Sequence, residues 1–244
     1  MDIKNQVLLK LRLEKTFKRE LNTIFNFMLI NFKVSAFRRE TFNVYDFQSL
    51  WRDLLLKHYR RVQKNFRNID SKKELDMDEQ NIQLALDTWS FEMADKVADN
   101  ITRTSLDDVR KAMISAQEES EERLDATALI LAAIVILRRR FKSRKNLIAT
   151  TETNGTAENT KLIEKRVKTE VIVEGVVVSK LLQKVWQNVG DARVRDAHRA
   201  AGGQTRMLNE PFNVGGELLM YPGDRSLGAS IWNIANCRCT LTYI

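Results

Sequence analysis

The first 154 residues contain no glycine and no proline. Both residues disfavour helix interiors, so nothing there interrupts long helices. Both prolines and seven of the nine glycines lie at or after Gly190, where loops and strands are expected instead. Cysteine is nearly absent as well. The only two, Cys237 and Cys239, exclude a disulfide framework and point to a reducing compartment. Long apolar runs are missing too. The longest, "ATALILAAIVIL" from Ala126 to Leu137, has about 12 residues against the roughly 20 that span a bilayer. It reads as a buried helix with a charged end, and no membrane partner is expected. The opening "MDIKNQVLLKLRLEK" mixes charges among its apolar residues and is not expected to act as a signal peptide.

Several catalytic signatures are also missing. "GGQT" at Gly202–Thr205 has no lysine after its glycines, so it is no phosphate loop, and "NVGGE" reads as a turn. No compact acidic cluster supports a metal-dependent nuclease. His198 with Cys237 or Cys239 would make a nucleophile–base pair, but no recognisable nucleophile loop accompanies it. The expectation is therefore a protein that is not an enzyme.

What is present is helical periodicity. Phe17, Leu21, Ile24, Phe25, Met28 and Phe32 recur at threes and fours, as do Phe47, Leu50, Trp51, Leu54 and Leu55. Val62 and Phe66 continue that stripe, and Ile82, Leu86, Trp89, Met93, Val97 and Ile101 form a third. These are core-facing stripes. "SLDD" at Ser105–Asp108 predicts a helix start, with Ser105 as cap and an acidic first turn. One or two further helices are expected over the apolar run and "KSRKNLIATTET". His58 lies on a helix edge and is assigned no role.

The texture changes near Gly190. "KVWQNV", Lys184–Val189, alternates like a strand and should turn at Gly190–Asp191. "CRCTLTYI" at the end alternates likewise and predicts a terminal strand carrying both cysteines. Between them, "AAGGQ", "NEPFNVGGE" and "YPGDRSLGA" predict long ordered loops. The expected fold class is α+β. A mostly helical region over 1–140 is followed by a small, loop-rich α+β domain over 141–244 with a terminal strand.

Net charge is +8, with 40 Lys+Arg against 32 Asp+Glu, a modest bias toward anionic partners. It is unevenly spread. Residues 81–137 hold 5 basic and 11 acidic side chains, and residues 138–180 hold 11 and 5. "RRRFKSRK" concentrates Arg138, Arg139, Arg140, Lys142, Arg144 and Lys145. It is a candidate for sequence-independent DNA contact or for docking an acidic partner, with a solvated helix end as the alternative.

Two constellations carry chemistry near the C-terminus. In "DARVRDAH", Asp191 is placed to cap a short helix bearing Arg193, Arg195 and His198, and Asp191 can pair with Arg195 four residues on. Asp191, Arg193, Arg195 and Asp224 are read chiefly as a polar network pinning loops. In "CRC", residues two apart on a strand point the same way. Cys237 and Cys239 could hold zinc with His198 and one carboxylate from Asp191, Asp196 or Asp224. The other reading is two small buried apolar groups beside Leu241 and Tyr243, and that is the one expected.

From residue 144 onward the order of segments resembles the Mu F-like family of phage minor head proteins, also called the phage head morphogenesis family. "RKNLIATTE" (144–152), "KVWQNVGDARVRDAH" (184–198), "GGQ" (202–204), "LNEPF" (208–212), "YPGD" (221–224) and "NCRC" (236–239) stand in family order. There are departures. Gly155 follows "TETN", and Asn154–Gly155 is a turn pair that predicts a helix break. Arg225 stands where the family commonly has proline. The resemblance implies a structural, low-copy protein inside the virion head at the portal vertex, passing through the host cytoplasm during assembly. It implies a role in head assembly, DNA packaging or DNA delivery. Portal protein is the implied partner, with major capsid protein, scaffolding protein and DNA as further candidates.

Overall fold

The computed structural model describes residues 2–67, 76–120, 122–173, 176–179 and 182–244, with backbone alone over 170–173 and 176–179. The chain forms two compact units. One is built from residues 1–14, 59–90 and 147–244, and the other from 15–58 and 91–146. Four long helices, α1 (Ile3–Arg38), α2 (Gln48–Arg67), α3 (Met77–Glu118) and α4 (Ala126–Thr169), each contribute to both units. A 3-10 turn, Val44–Phe47, precedes α2. None of the described helices is long and apolar enough to cross a membrane.

The 15–58/91–146 unit is helical, and its core draws on the predicted stripes together with Leu137 and Phe141, while Leu50, expected to face the core, is exposed and Ile24 is half-buried. Phe17, Leu21, Phe25, Met28, Trp51, Leu55, Ile101, Leu137 and Phe141 are buried. Phe25 stacks on Phe141 with ring centroids 4.4 Å apart and tilts against Trp51 at 4.7 Å. His58 is buried and stacks on Phe17 at 3.8 Å. No helix starts at Ser105, because α3 runs through it. The Ser105 hydroxyl donates back to the Ile101 carbonyl at 2.7 Å, so its oxygen is used inside the helix rather than at a cap.

Nor does α4 break at Asn154–Gly155. Tertiary contacts override the local turn preference. The Asn154 amide accepts from Lys10 Nζ at 2.7 Å and donates to the Cys239 carbonyl at 3.3 Å. Gly155 is where another backbone comes close. A Cβ on Gly155 would sit 3.4 Å from the Gly223 carbonyl oxygen, and one on Gly223 only 3.0 Å from Gly155 Cα. Gly223 also has φ +92°, a left-handed conformation that favours glycine. Gly223→Ala should therefore cost about 1–3 kcal/mol. Gly155→Ala should fall within about 1 kcal/mol of wild type, because its helix-propensity gain offsets the tight contact. Urea denaturation of both variants measures the contrast.

In the other unit, residues 147–169 of α4 carry the small β structure. Strands β1 (Glu170–Val173) and β2 (Val176–Ser179) pair antiparallel. Strand β3 (Gln183–Gln187) lies between β4 (Thr205–Met207) and β7 (Thr240–Tyr243), all antiparallel. The "NEPFNVGGE" stretch is not simply loop. It holds β5 (Phe212–Val214) and β6 (Glu217–Leu219) joined by Gly215–Gly216, both at positive φ, as a two-residue hairpin requires. Two short helices complete the unit, α5 (Asp196–Ala201) and α6 (Ile231–Ile234). Leu162, Trp186, Leu208, Phe212, Val214, Leu219, Tyr221 and Leu241 form the core.

The alternation expected in β3 does not appear as burial, because Lys184, Val185 and Trp186 are all buried. Lys184 Nζ donates to the Leu208 and Met220 carbonyls at 3.2 and 2.9 Å and lies over the Phe212 ring. Burial, then the nearby Arg166, lowers its pKa to about 7. Burial likewise lowers Lys161 to about 8, against the pull of Glu158. In the unfolded chain both titrate near 10.4, so between these values the unfolded state binds more protons. Stability should therefore rise with pH above about 7, by at most about 1.4 kcal/mol per pH unit for each lysine. A higher urea midpoint is expected at about pH 8.5 than at about pH 7.

Candidate metal centre and its polar surround

His198 reaches its position from the third residue of α5. That helix starts at Asp196, so Asp191 is not its cap. Arg195, the residue before the helix, has extended backbone (φ −62°, ψ 150°). Without helix across 191–195, the expected Asp191–Arg195 pairing has no geometry to form. Asp191 instead accepts from the Arg193 backbone N–H at 3.0 Å. Its carboxylate is gripped by both ends of the Arg238 guanidinium at 2.7 and 2.8 Å. The hydrogen bond from Arg238 holds the Asp191 carboxyl well below the usual carboxylate range. Arg195 faces His198 Nε2 at 3.1 Å and donates to the Ala235 carbonyl. Asp224 belongs to another loop. Fully buried, it accepts from Met220 N and Ser226 N at 2.8 Å each, and from the Ser226 hydroxyl at 3.0 Å.

Neither cysteine lies within the terminal strand, which begins at Thr240. They sit in the segment between α6 and β7, entered through Asn236 at φ +53°. Asn236 N is fixed by the Thr151 hydroxyl of α4 at 3.0 Å. Both thiols are buried and belong to the core around Trp186, Phe212 and Leu241. His198 Nδ1 lies 3.5 Å from Cys237 Sγ and 3.6 Å from Cys239 Sγ, and the three ligand atoms lie within 4.8 Å of one another. The expected fourth carboxylate is not there. Among the described residues the group contains only His198, Cys237 and Cys239. Asp191 is taken by Arg238, Asp224 by its own loop, and Asp196 is exposed.

The two thiols differ. The hydrogen bond with Cys239, then burial, raises the Cys237 pKa well above its usual value. The same hydrogen bond lowers Cys239, against burial and with help from the Trp186 indole. The trio can bind a metal ion through two sulfurs and one imidazole nitrogen.

Sequence reasoning missed the polar groups that tie this region to the helices. Glu158 of α4, fully buried, accepts from Lys10 Nζ at 2.6 Å, the Thr240 hydroxyl at 2.7 Å and Leu241 N at 2.7 Å, and pairs with Lys161 at 2.8 Å. Glu152 accepts from Arg225 at 2.5 and 3.1 Å and from the Tyr59 hydroxyl at 2.8 Å. No local signal marks these pairings, since Glu158 and Lys10 lie 148 positions apart and Glu152 and Arg225 lie 73 apart.

The basic stretch divides around its helix. Arg140 and Arg144 turn to Asp108 at 3.4 and 2.9 Å, and Arg144 also donates to the Ser105 hydroxyl and the Ile101 carbonyl. Lys145 donates to Asn22 at 2.8 Å. Arg138, Arg139 and Lys142 are exposed. With about 100° between successive helical residues, six neighbouring cations cannot share one face. DNA bound through these three exposed cations would give a log–log salt slope no steeper than about −2.7. Mobility shifts across a salt series test that ceiling. Set against known proteins, the chain matches no protein-family model, no curated protein and no solved structure.

Proposed function

We propose that this chain is a structural minor head protein of a tailed bacteriophage, portal-associated and non-enzymatic, serving head assembly, DNA packaging or DNA delivery. One observation carries the reading. Several polar residues of the segments that resemble the Mu F-like family bond to one another or to an adjoining residue. Glu152 of "IATTE" holds Arg225, the residue after "YPGD", and Thr151 of the same segment holds Asn236 of "NCRC". Asp191 of "DARVRDAH" holds Arg238, and His198 faces both cysteines. Polar residues turned inward on one another describe a fold-holding network better than a substrate site. In lysates of infected cells the protein should co-sediment with portal-containing procapsids in a few copies per particle. Recovery only as free protein, never with particles, overturns the proposal.

The reading extends to zinc at His198, Cys237 and Cys239. A tetrahedral zinc, with Zn–S of about 2.3 Å and Zn–N of about 2.0–2.1 Å, sets each sulfur about 3.5–3.6 Å from the nitrogen. The two N–S separations here are 3.5 and 3.6 Å. A single Nδ1–H can aim well at one sulfur but not at two, whereas a shared central ion explains both distances. Metal analysis of the purified protein should find about one zinc per chain. Cys239→Ser should lose it. Zinc-free protein with unchanged stability would leave the thiols as packing groups only.

A further inference from the structure

We propose that the metal held by His198, Cys237 and Cys239 keeps one coordination position for an oxyanion, a carboxylate or phosphate oxygen, entering through an arginine-lined pocket. The inference rests on the zinc reading and deepens it. Zinc takes four ligands, and sites with three protein ligands hold an external one in the fourth position. Among the described residues this group supplies three. The same three residues form part of the wall of an open pocket of about 360 Å³. Arg193, Arg195 and Arg238 line it with them, and no carboxylate does. Asp191 offsets part of this charge by binding Arg238 and, at 3.4 Å, Arg193. Three guanidinium groups against one carboxylate still leave the pocket positive, which selects an anion.

His198 adds a directional argument. When Nδ1 binds a metal, the ring proton resides on Nε2. That N–H would then face the Arg195 Nη1 donor, now 3.1 Å away, with no acceptor between them. Metal loading must therefore turn Nη1 off the ring, while the other end of Arg195 can keep its bond to the Ala235 carbonyl. The pocket that Arg195 already lines receives the freed donor. There it supplies both hydrogen bond and charge to an oxyanion on the metal, so metal and anion bind cooperatively.

Cobalt(II) in place of zinc reports the coordination sphere by visible absorption. The full chain, loaded with one cobalt, should change its d–d bands when titrated with inorganic phosphate or with acetate. A response to phosphate alone assigns a phosphate ligand, and a response to acetate alone assigns a carboxylate. Arg195→Gln should weaken anion binding at least about tenfold and Arg195→Lys by less, with cobalt affinity in both near that of wild type. Bands that do not move up to about 50 mM of either anion, with cobalt still bound one to one, overturn the proposal. Failure to bind cobalt stoichiometrically overturns the zinc reading beneath it. Equal anion affinity in wild type and Arg195→Gln overturns the role given to Arg195.

Discussion

Glu158→Ala is expected to lower the unfolding free energy by about 3–5 kcal/mol, measured by urea denaturation followed by circular dichroism. Glu158 is fully buried, and its carboxylate sits between Lys10 and Lys161, both also buried or nearly so. Deleting it leaves two ammonium groups facing each other away from water. It also removes the acceptor for the Thr240 hydroxyl and the Leu241 N–H, which fix the start of β7 to α4. Burial acts to raise the Glu158 pKa, but the two lysines outweigh it and the net shift is downward. A lowered carboxyl pKa contributes stability above the unfolded value, near 4.3, and loses it as pH falls through the folded value. The wild-type advantage over Glu158→Ala should thus be full at neutral pH and shrink in acid. Replacing all three charges together, by Lys10→Met, Glu158→Leu and Lys161→Met, should recover much of the loss. A loss under about 1 kcal/mol for Glu158→Ala would mean that water reaches the cluster and that β7 is held by other contacts.

Zinc at about a thousand times its dissociation constant is expected to raise the unfolding free energy by about 4 kcal/mol. Such a gain would come from an ion that binds the folded trio and has little affinity for the three residues once the 39 positions between His198 and Cys237 are free. His198→Ala and Cys239→Ser should each remove most of this gain. Comparing each variant with and without zinc separates metal binding from packing, since both thiols also fill the core. Identical denaturation curves with and without zinc in the wild type would sink the metal reading and leave the packing role intact.

The long helices were legible because burial follows periodicity. Phe17, Leu21, Phe25 and Met28 recur at the spacing of one helix face, and they are the buried residues of that face. The missing glycine and proline removed any competing reading. Helix ends were less legible. Ser105 and Asn154–Gly155 carry true local signals for a start and a stop, yet both lie inside unbroken helices. A cap or turn preference is worth about 1 kcal/mol, and the contacts that Asn154 and Gly155 make across the fold outweigh it.

The candidate site was legible in its members and not in its arrangement. His198, Cys237 and Cys239 are rare residue types, so composition alone drew them out. Nothing in one dimension says that Arg238 rather than Arg195 takes Asp191, or that no carboxylate completes the trio. The basic run shows the same limit from the other side. Six cations adjacent in sequence look like a single patch, but helical rotation sends Arg140 and Arg144 to Asp108 and leaves three exposed.

By itself, then, the sequence determined the α+β class, three helical stripes and the residue types able to bind a metal, because these follow from local periodicity and composition. Only the tertiary structure decided which charges are buried and with whom they pair. Glu158 with Lys10 and Glu152 with Arg225 join residues 148 and 73 positions apart, and a pairing over that distance is fixed by where the backbone carries each side chain.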